Sequence, residues 1–171
     1  ESIKKALTKR VVDALKKLKD NDINAYKEFW KEYGLVLKEG PAEDSENRES
    51  IAELLLFATS NKDTHEVDQT LDDYIARMPS DQKGIYYCVA DTFEGALNSP
   101  HLESLKSKNT EVLLLTDRID EWLMSSLFEF KGKSFINVAK TSNEAEIKPK
   151  TTKDQNELLK KVADHLGDRV S

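Results

Sequence analysis

The sequence predicts a mixed α/β chain, α+β overall: a three-helix unit, a small αβα unit with a short, mainly parallel sheet, and one trailing helix. Three observations predict it. Apolar residues recur at helical spacing three times within residues 1–58. Two short apolar runs, residues 86–90 and 111–115, lie about 20 residues apart with helix start and stop signals between them, as parallel strands joined by a helical crossover require. Each run closes on an aspartate, Asp91 and Asp117, yet no glycine-rich phosphate loop, metal set or nucleophile accompanies them. The frame is Rossmann-like without Rossmann-type chemistry, and this turns the reading towards binding.

Ile3, Leu7, Val11, Leu15 and Leu18 recur among lysines and predict an amphipathic helix ending near Asn21. Asp22 is placed to cap a second helix with the apolar face Ile23, Tyr26, Phe29, Trp30 and Tyr33, closed by Gly34. Leu35, Val36 and Leu37 form a short apolar run that Gly40 and Pro41 break. A third helix starts near Asp44 or Ser45 and carries Ile51, Leu54, Leu55 and Ala58, which completes a helical unit over residues 1–58. Residues 59–69 are polar and aperiodic, and read as a loop. Thr70 and Asp73 have capping-box spacing and open a short helix through Leu71, Tyr74, Ile75 and Met78, stopped by Pro79.

The strand at 85–90 is continuously apolar, so both its faces are covered. Asp91 is placed to cap a helical turn through Phe93 and Leu97. Ser99 and Pro100 start another, with Leu102 and Leu105 inward and Asn109 at its end. The strand at 111–115 pairs beside the first, and Asp117 caps a helix over 118–127. Residues 128–130 and 135–138 suit an edge strand or a hairpin around Gly132, closing the αβα unit at 139. Residues 140–152 are polar and read as a linker. Leu158, Leu159, Val162 and Leu166 mark a last helix within 153–171, which packs back on the body or belongs to a domain continuing past Ser171.

A length of 171 residues suits one domain or two small ones. The formal net charge of −6 argues against a general nucleic-acid binder, which needs a basic footprint. No apolar run approaches the roughly 20 residues of a membrane helix. No signal peptide opens the chain, and its abrupt helical start reads as a cut from a longer protein. Cys88, inside the first apolar run, reads as a small buried hydrophobe compatible with a reducing cytoplasm.

Asp91 and Asp117 stand at the carboxyl ends of two strands, where ligands of open α/β sheets bind. Two readings are open: an aspartate pair for magnesium in a phosphate-handling enzyme, or two helix caps. His65, His101 and His165 lack metal-ligand spacing and read as solvated surface, as do the lysines at 4, 5, 9, 16, 17 and 19. Ser125 and Ser126 have no flanking glycine elbow, which argues against a hydrolase nucleophile. On the helix over 118–127, Ile119, Leu123 and Ser126 share the core face, with Leu127 at its edge. Trp122 lies at the opposite border beside Glu121 and Ser125, and Met124 points away from the core. Trp122 is thus a core residue or the centre of a sticky patch for other proteins, and an inert scaffold module with no such surface of its own stays open beside these readings.

Several motifs resemble one family. The run from Phe29, Trp30, Lys31, Glu32 and Tyr33 to Gly40 and the segment Leu7, Thr8, Lys9, Arg10, Val11 resemble the middle domain of heat-shock protein 90 chaperones of the bacterial HtpG type. So do Tyr74, Ile75, Ala76, Arg77, Met78; Ser99, Pro100, His101, Leu102, Glu103; and, most strongly, Asp117, Arg118, Ile119, Asp120, Glu121, Trp122. The resemblance is continuous over residues 1–139 and fades beyond Lys140 into the linker and first helix of the family's dimerisation domain.

The resemblance implies a cytoplasmic, dimeric, ATP-driven chaperone that remodels partly folded clients. It implies that the ATP and magnesium site lies in an N-terminal domain outside these residues, that the catalytic-loop arginine falls just upstream of Glu1, and that this chain neither binds nor hydrolyses ATP. It also implies client contacts at Glu121 and Trp122. The third position of that client motif is asparagine in the family and Ser125 here.

Overall fold

The structure is a computed structural model and describes residues 2–62 and 65–140. The linker and last helix expected over 140–171 lie, apart from Lys140, outside the described residues. Helix α1 (Ser2–Asn21) leads into α2 (Ile23–Glu43), whose N-cap Asp22 accepts the Ala25 N–H at 3.0 Å, as the sequence predicts. Only the second half of α1 is packed: Val12 is buried and Leu15 and Leu18 lie against the core, whereas Ile3, Leu7 and Val11 are exposed. Lys16 and Lys19 are not free surface lysines. Lys16 pairs with the Glu53 carboxylate, and the Lys19 ammonium donates to the Glu53 carbonyl at 2.5 Å.

The second helix does not stop at Gly34. It runs on through Leu35, Val36 and Leu37 to Glu43, so the short apolar run is helical. Glycine at position 34 makes room for the Trp30 ring: a Cβ there would lie 2.7 Å from Cε2. Pro41 is tolerated three residues from the end, where it removes one helical hydrogen bond and follows a glycine with no Cβ to clash. Tyr26, Trp30, Gly34, Lys38 and Pro41 form the buried row of α2.

Helix α3 (Arg48–Ala52) is shorter than its periodicity predicts. Leu54, Leu55, Leu56 and Phe57 then run non-helically with no exposed surface, each contributing about 1.5–3 kcal/mol of apolar burial. They lead into β1 (Ala58–Thr59), a strand in the stretch read as helix end and loop. Helix α4 (Leu71–Arg77) has the predicted capping box, with Asp73 N–H on Thr70 Oγ1 at 3.0 Å and Thr70 N–H on Asp73 Oδ2 at 3.1 Å.

Strand β2 (Ile85–Val89), helices α5 (Phe93–Leu97) and α6 (Pro100–Lys106), and strand β3 (Leu113–Leu115) form the predicted parallel crossover, with Tyr87 opposite Leu113. After α7 (Ile119–Ser126), β4 (Glu129–Phe130) and β5 (Lys133–Asn137) make the predicted hairpin, turning through Lys131 and Gly132 at positive φ. The sheet order is β1-β3-β2-β5-β4, parallel at its centre and antiparallel at both edges. The larger apolar cluster, around Tyr26, Leu54, Phe57 and Leu123, lies on the α2 and α7 side. A second, around Phe93, Leu102 and Val138, lies under α5 and α6. Cys88 is buried as predicted, and burial pushes its thiol pKa up. Among the described residues no helix is long and apolar enough to cross a membrane.

Candidate functional site

Helix α7 packs along α2. Leu123 and Leu127 are fully buried and Ile119 is half-buried, so the core face lies where the spacing predicts. Trp122 at the border of that face is 41% exposed, and the open alternatives of core residue or surface patch close on an accessible indole. Glu121 and Ser125 flank it in solvent. The Ser125 hydroxyl donates to the Trp122 carbonyl at 2.6 Å, a bond within the helix. Met124 differs from expectation: it is half-buried and packs on the core, because its long thioether folds back over the helix edge. The accessible patch is therefore Trp122 with Glu121 and Ser125, without the methionine.

The two aspartates do share one cleft. Asp91, Asp117, Arg118 and Glu121 line a depression of about 620 Å³ at the carboxyl ends of β2 and β3. Neither acts as the expected cap. Thr92 caps α5 instead, accepting the Gly95 N–H at 3.0 Å. Asp117 directs Oδ2 to the Lys38 ammonium at 2.7 Å. The magnesium reading gains no support, since one of its two carboxylates is held by a cation. Among the described residues no three His, Cys, Asp or Glu side chains gather as a metal would need. His65 is exposed, with Nε2 2.9 Å from Glu94 Oε1, while His101 is half-buried rather than fully solvated. His165 lies outside the described residues.

Sequence reasoning missed Lys38 and Asp120. Asp120 is fully buried at the helical spacing of Leu123 and Leu127, and Lys38 is buried at the spacing of Trp30 and Gly34. Their carboxylate oxygen and ammonium lie 2.7 Å apart. A charge at core spacing on one helix was the available signal, because a buried carboxylate demands a cation. Breaking α2 at Gly34 removed the helical frame in which Lys38 shows. Lys38 and Asp117 also border a larger groove of about 890 Å³ between α2 and residues 65–68, with Trp30 and Leu35 in its wall.

A family described as "Hsp90 protein" matches residues 1–171. The chain is similar to the chaperone protein HtpG of Salmonella paratyphi B, at 48% identity over 178 residues, covering 99% of this chain and 28% of that protein. HtpG of Pasteurella multocida is 47% identical over 177 residues, with the same shares. Among solved structures, the middle domain of a Plasmodium falciparum heat-shock protein superposes with a TM-score of 0.74 at 38% identity, covering 80% of this chain and 56% of that one. The chain thus spans little more than a quarter of the length of its curated relatives.

Proposed function

This chain belongs to the Hsp90 protein family, and from that premise we propose that it is the C-terminal part of the middle domain of an ATP-dependent chaperone. On this reading it couples nucleotide-driven movement elsewhere to partly folded client proteins held around Glu121, Trp122 and Ser125. Residues 1–58 are the helical part and 59–139 the αβα part of that domain, 140–152 a linker and 153–171 the first helix of a C-terminal dimerisation domain. ATP and magnesium belong to an N-terminal domain of the parent protein, which is a cytoplasmic homodimer, and this chain turns over no nucleotide itself.

The observation that carries the reading is the half-exposed Trp122 on a helix whose adjoining face is fixed in the core. A large amphipathic ring held rigidly at a surface supplies contact area at little entropic cost. Glu121 beside it adds charge, which biases the patch towards segments that combine apolar and basic residues.

The test is a fluorescence-anisotropy titration of labelled, reduced and carboxymethylated α-lactalbumin, a partly folded probe. Trp122→Ala weakens binding about fivefold or more, as expected for an anchoring aromatic, with an unchanged circular dichroism spectrum. Unaltered affinity, or unfolding of the variant, refutes the assignment. Nucleotide turnover by the 171-residue chain refutes the division of labour.

A further inference from the structure

The start of α7 is held in an unusual way. The residue at its N-cap position, Arg118, has helical backbone angles and makes no side-chain cap. The anchor is instead an ionic cluster reaching across from α2. The Lys38 ammonium donates to Asp117 Oδ2 and Asp120 Oδ1, each at 2.7 Å. The second Asp120 oxygen accepts the Asp117 N–H at 2.9 Å, and the Asp120 N–H returns to the Asp117 carbonyl at 2.9 Å. Asp120 is fully buried and Lys38 nearly so.

The Asp117 and Asp120 carboxylates suit a helix N-terminus, but the ammonium between them opposes the helix dipole, so helix stability alone does not call for Lys38. A serine or threonine cap satisfies the same end without burying charge. Buried ion pairs contribute little net stability compared with apolar packing, and their best-attested benefit is fixing one geometry among several. The two residues that follow Asp120 are Glu121 and Trp122. Whatever fixes the rotation of the first turn of α7 about its own axis therefore fixes where the indole points.

We propose that Lys38 is a positioning residue for the client surface: by clamping Asp117 and Asp120 it sets the orientation of α7 and so the presentation of Trp122. This rests on the client reading of Trp122, and the experiment separates the two. The chain is labelled with 5-fluorotryptophan, giving fluorine resonances for Trp30 and Trp122. Lys38→Met keeps a long, unbranched side chain and removes the charge. It is expected to shift the Trp122 resonance and change its line broadening by a soluble paramagnetic agent. It is also expected to weaken carboxymethylated α-lactalbumin binding about threefold or more where Trp122 is present, with no further loss in a Trp122→Ala background.

An unmoved Trp122 resonance overturns the proposal, and so does an equal loss of affinity in both backgrounds. Should Lys38→Met fail to fold, Asp117→Asn decides. Its side chain is 47% exposed, and the substitution removes the charge from one arm of the clamp. It is expected to move the same resonance in the same direction, and no movement overturns the proposal. If Trp122→Ala alone leaves binding intact, the client reading fails while the fluorine spectra still decide whether Lys38 positions the ring.

Discussion

The phenol oxygen of Tyr74 on α4 accepts the backbone N–H of Tyr86 in β2 at 3.0 Å. The same oxygen accepts from Gln82 Nε2 at 2.9 Å and donates to the Glu111 carbonyl at 2.7 Å. One hydroxyl thereby joins a helix, the central strand and the approach to β3. Tyr74→Phe withdraws the acceptor from a strand N–H and the donor from a carbonyl, and is expected to cost about 1–3 kcal/mol. Burial pushes the Tyr74 pKa up to about 12, partly offset by the bonds from Tyr86 and Gln82, and burial raises Tyr26 as well. An unfolded tyrosine ionises near pH 10. The stabilisation is therefore complete below pH 10 and is lost as pH rises towards 12. Urea midpoints measured between these limits fall for the wild type and fall less steeply for Tyr74→Phe. Equal slopes contradict the assignment.

Asp68 fixes one wall of the groove along α2. Burial raises its carboxyl pKa, but hydrogen bonds from Lys62, Gln69 and Lys27 outweigh burial and hold it at about 2, below the ordinary 3.8. Its stabilisation is present above the ordinary value and lost as pH falls through that window. Asp68→Asn is expected to cost about 1 kcal/mol at neutral pH. The difference between variant and wild type should close on acidification towards pH 2. A difference independent of pH rules out the charged network as its source.

Gly84 precedes β2 where β5 crosses close to it. A Cβ there would lie 2.3 Å from the Ser134 carbonyl oxygen. Backbone in a paired strand cannot swing aside as a side-chain tip can, so Gly84→Ala forces β2 and β5 apart. The expected loss is about 1–3 kcal/mol, the range of overpacked cores. Gly132 is the control: its φ is +74° and nothing lies within 4 Å of a Cβ, so alanine there meets only conformational strain. Thermal melts should rank Gly84→Ala well below Gly132→Ala, and the reverse order contradicts the close approach.

The three residues of the proposed client surface are not equal. Ser125 spends its hydroxyl proton on the Trp122 carbonyl within the helix, whereas the indole faces outward. Ser125→Ala is expected to change the affinity for carboxymethylated α-lactalbumin by less than about twofold, against about fivefold or more for Trp122→Ala. Ser125→Asn introduces the asparagine that the family resemblance implies at this position and is expected to tighten binding, since the longer amide reaches further from the helix than the serine hydroxyl. An anisotropy titration of the three variants checks the order, and a dominant Ser125→Ala effect reverses it.

Much of the fold was legible because local chemistry agreed with the final structure. The Thr70 to Asp73 capping box, the proline start of α6 and the turn at Gly132 each rest on residues within a few positions of one another, and the β2 to β3 crossover on a succession of such local signals. Differences fell where a single-residue signal was outweighed by its packed surroundings or displaced by one position. Gly34 and Pro41 are helix breakers by propensity, yet α2 continues through both, with each of them in its buried row. Leu54 to Phe57 have helical spacing but are buried on every side, an environment that fixes no period. Thr92, not Asp91, caps α5, a shift of one residue that sequence pattern does not resolve.

The sequence by itself determined the family resemblance, the β2 to β3 crossover and the border position of Trp122, because periodicity and short motifs are properties of neighbouring residues. Only the tertiary structure decided that α2 is one helix, that Lys38 meets Asp117 and Asp120 from some eighty positions away, and that Asp117 is held by a cation instead of capping α7. Those outcomes depend on which charge reaches which across the packed interior, and the cost of leaving a buried charge alone is set by its spatial neighbours.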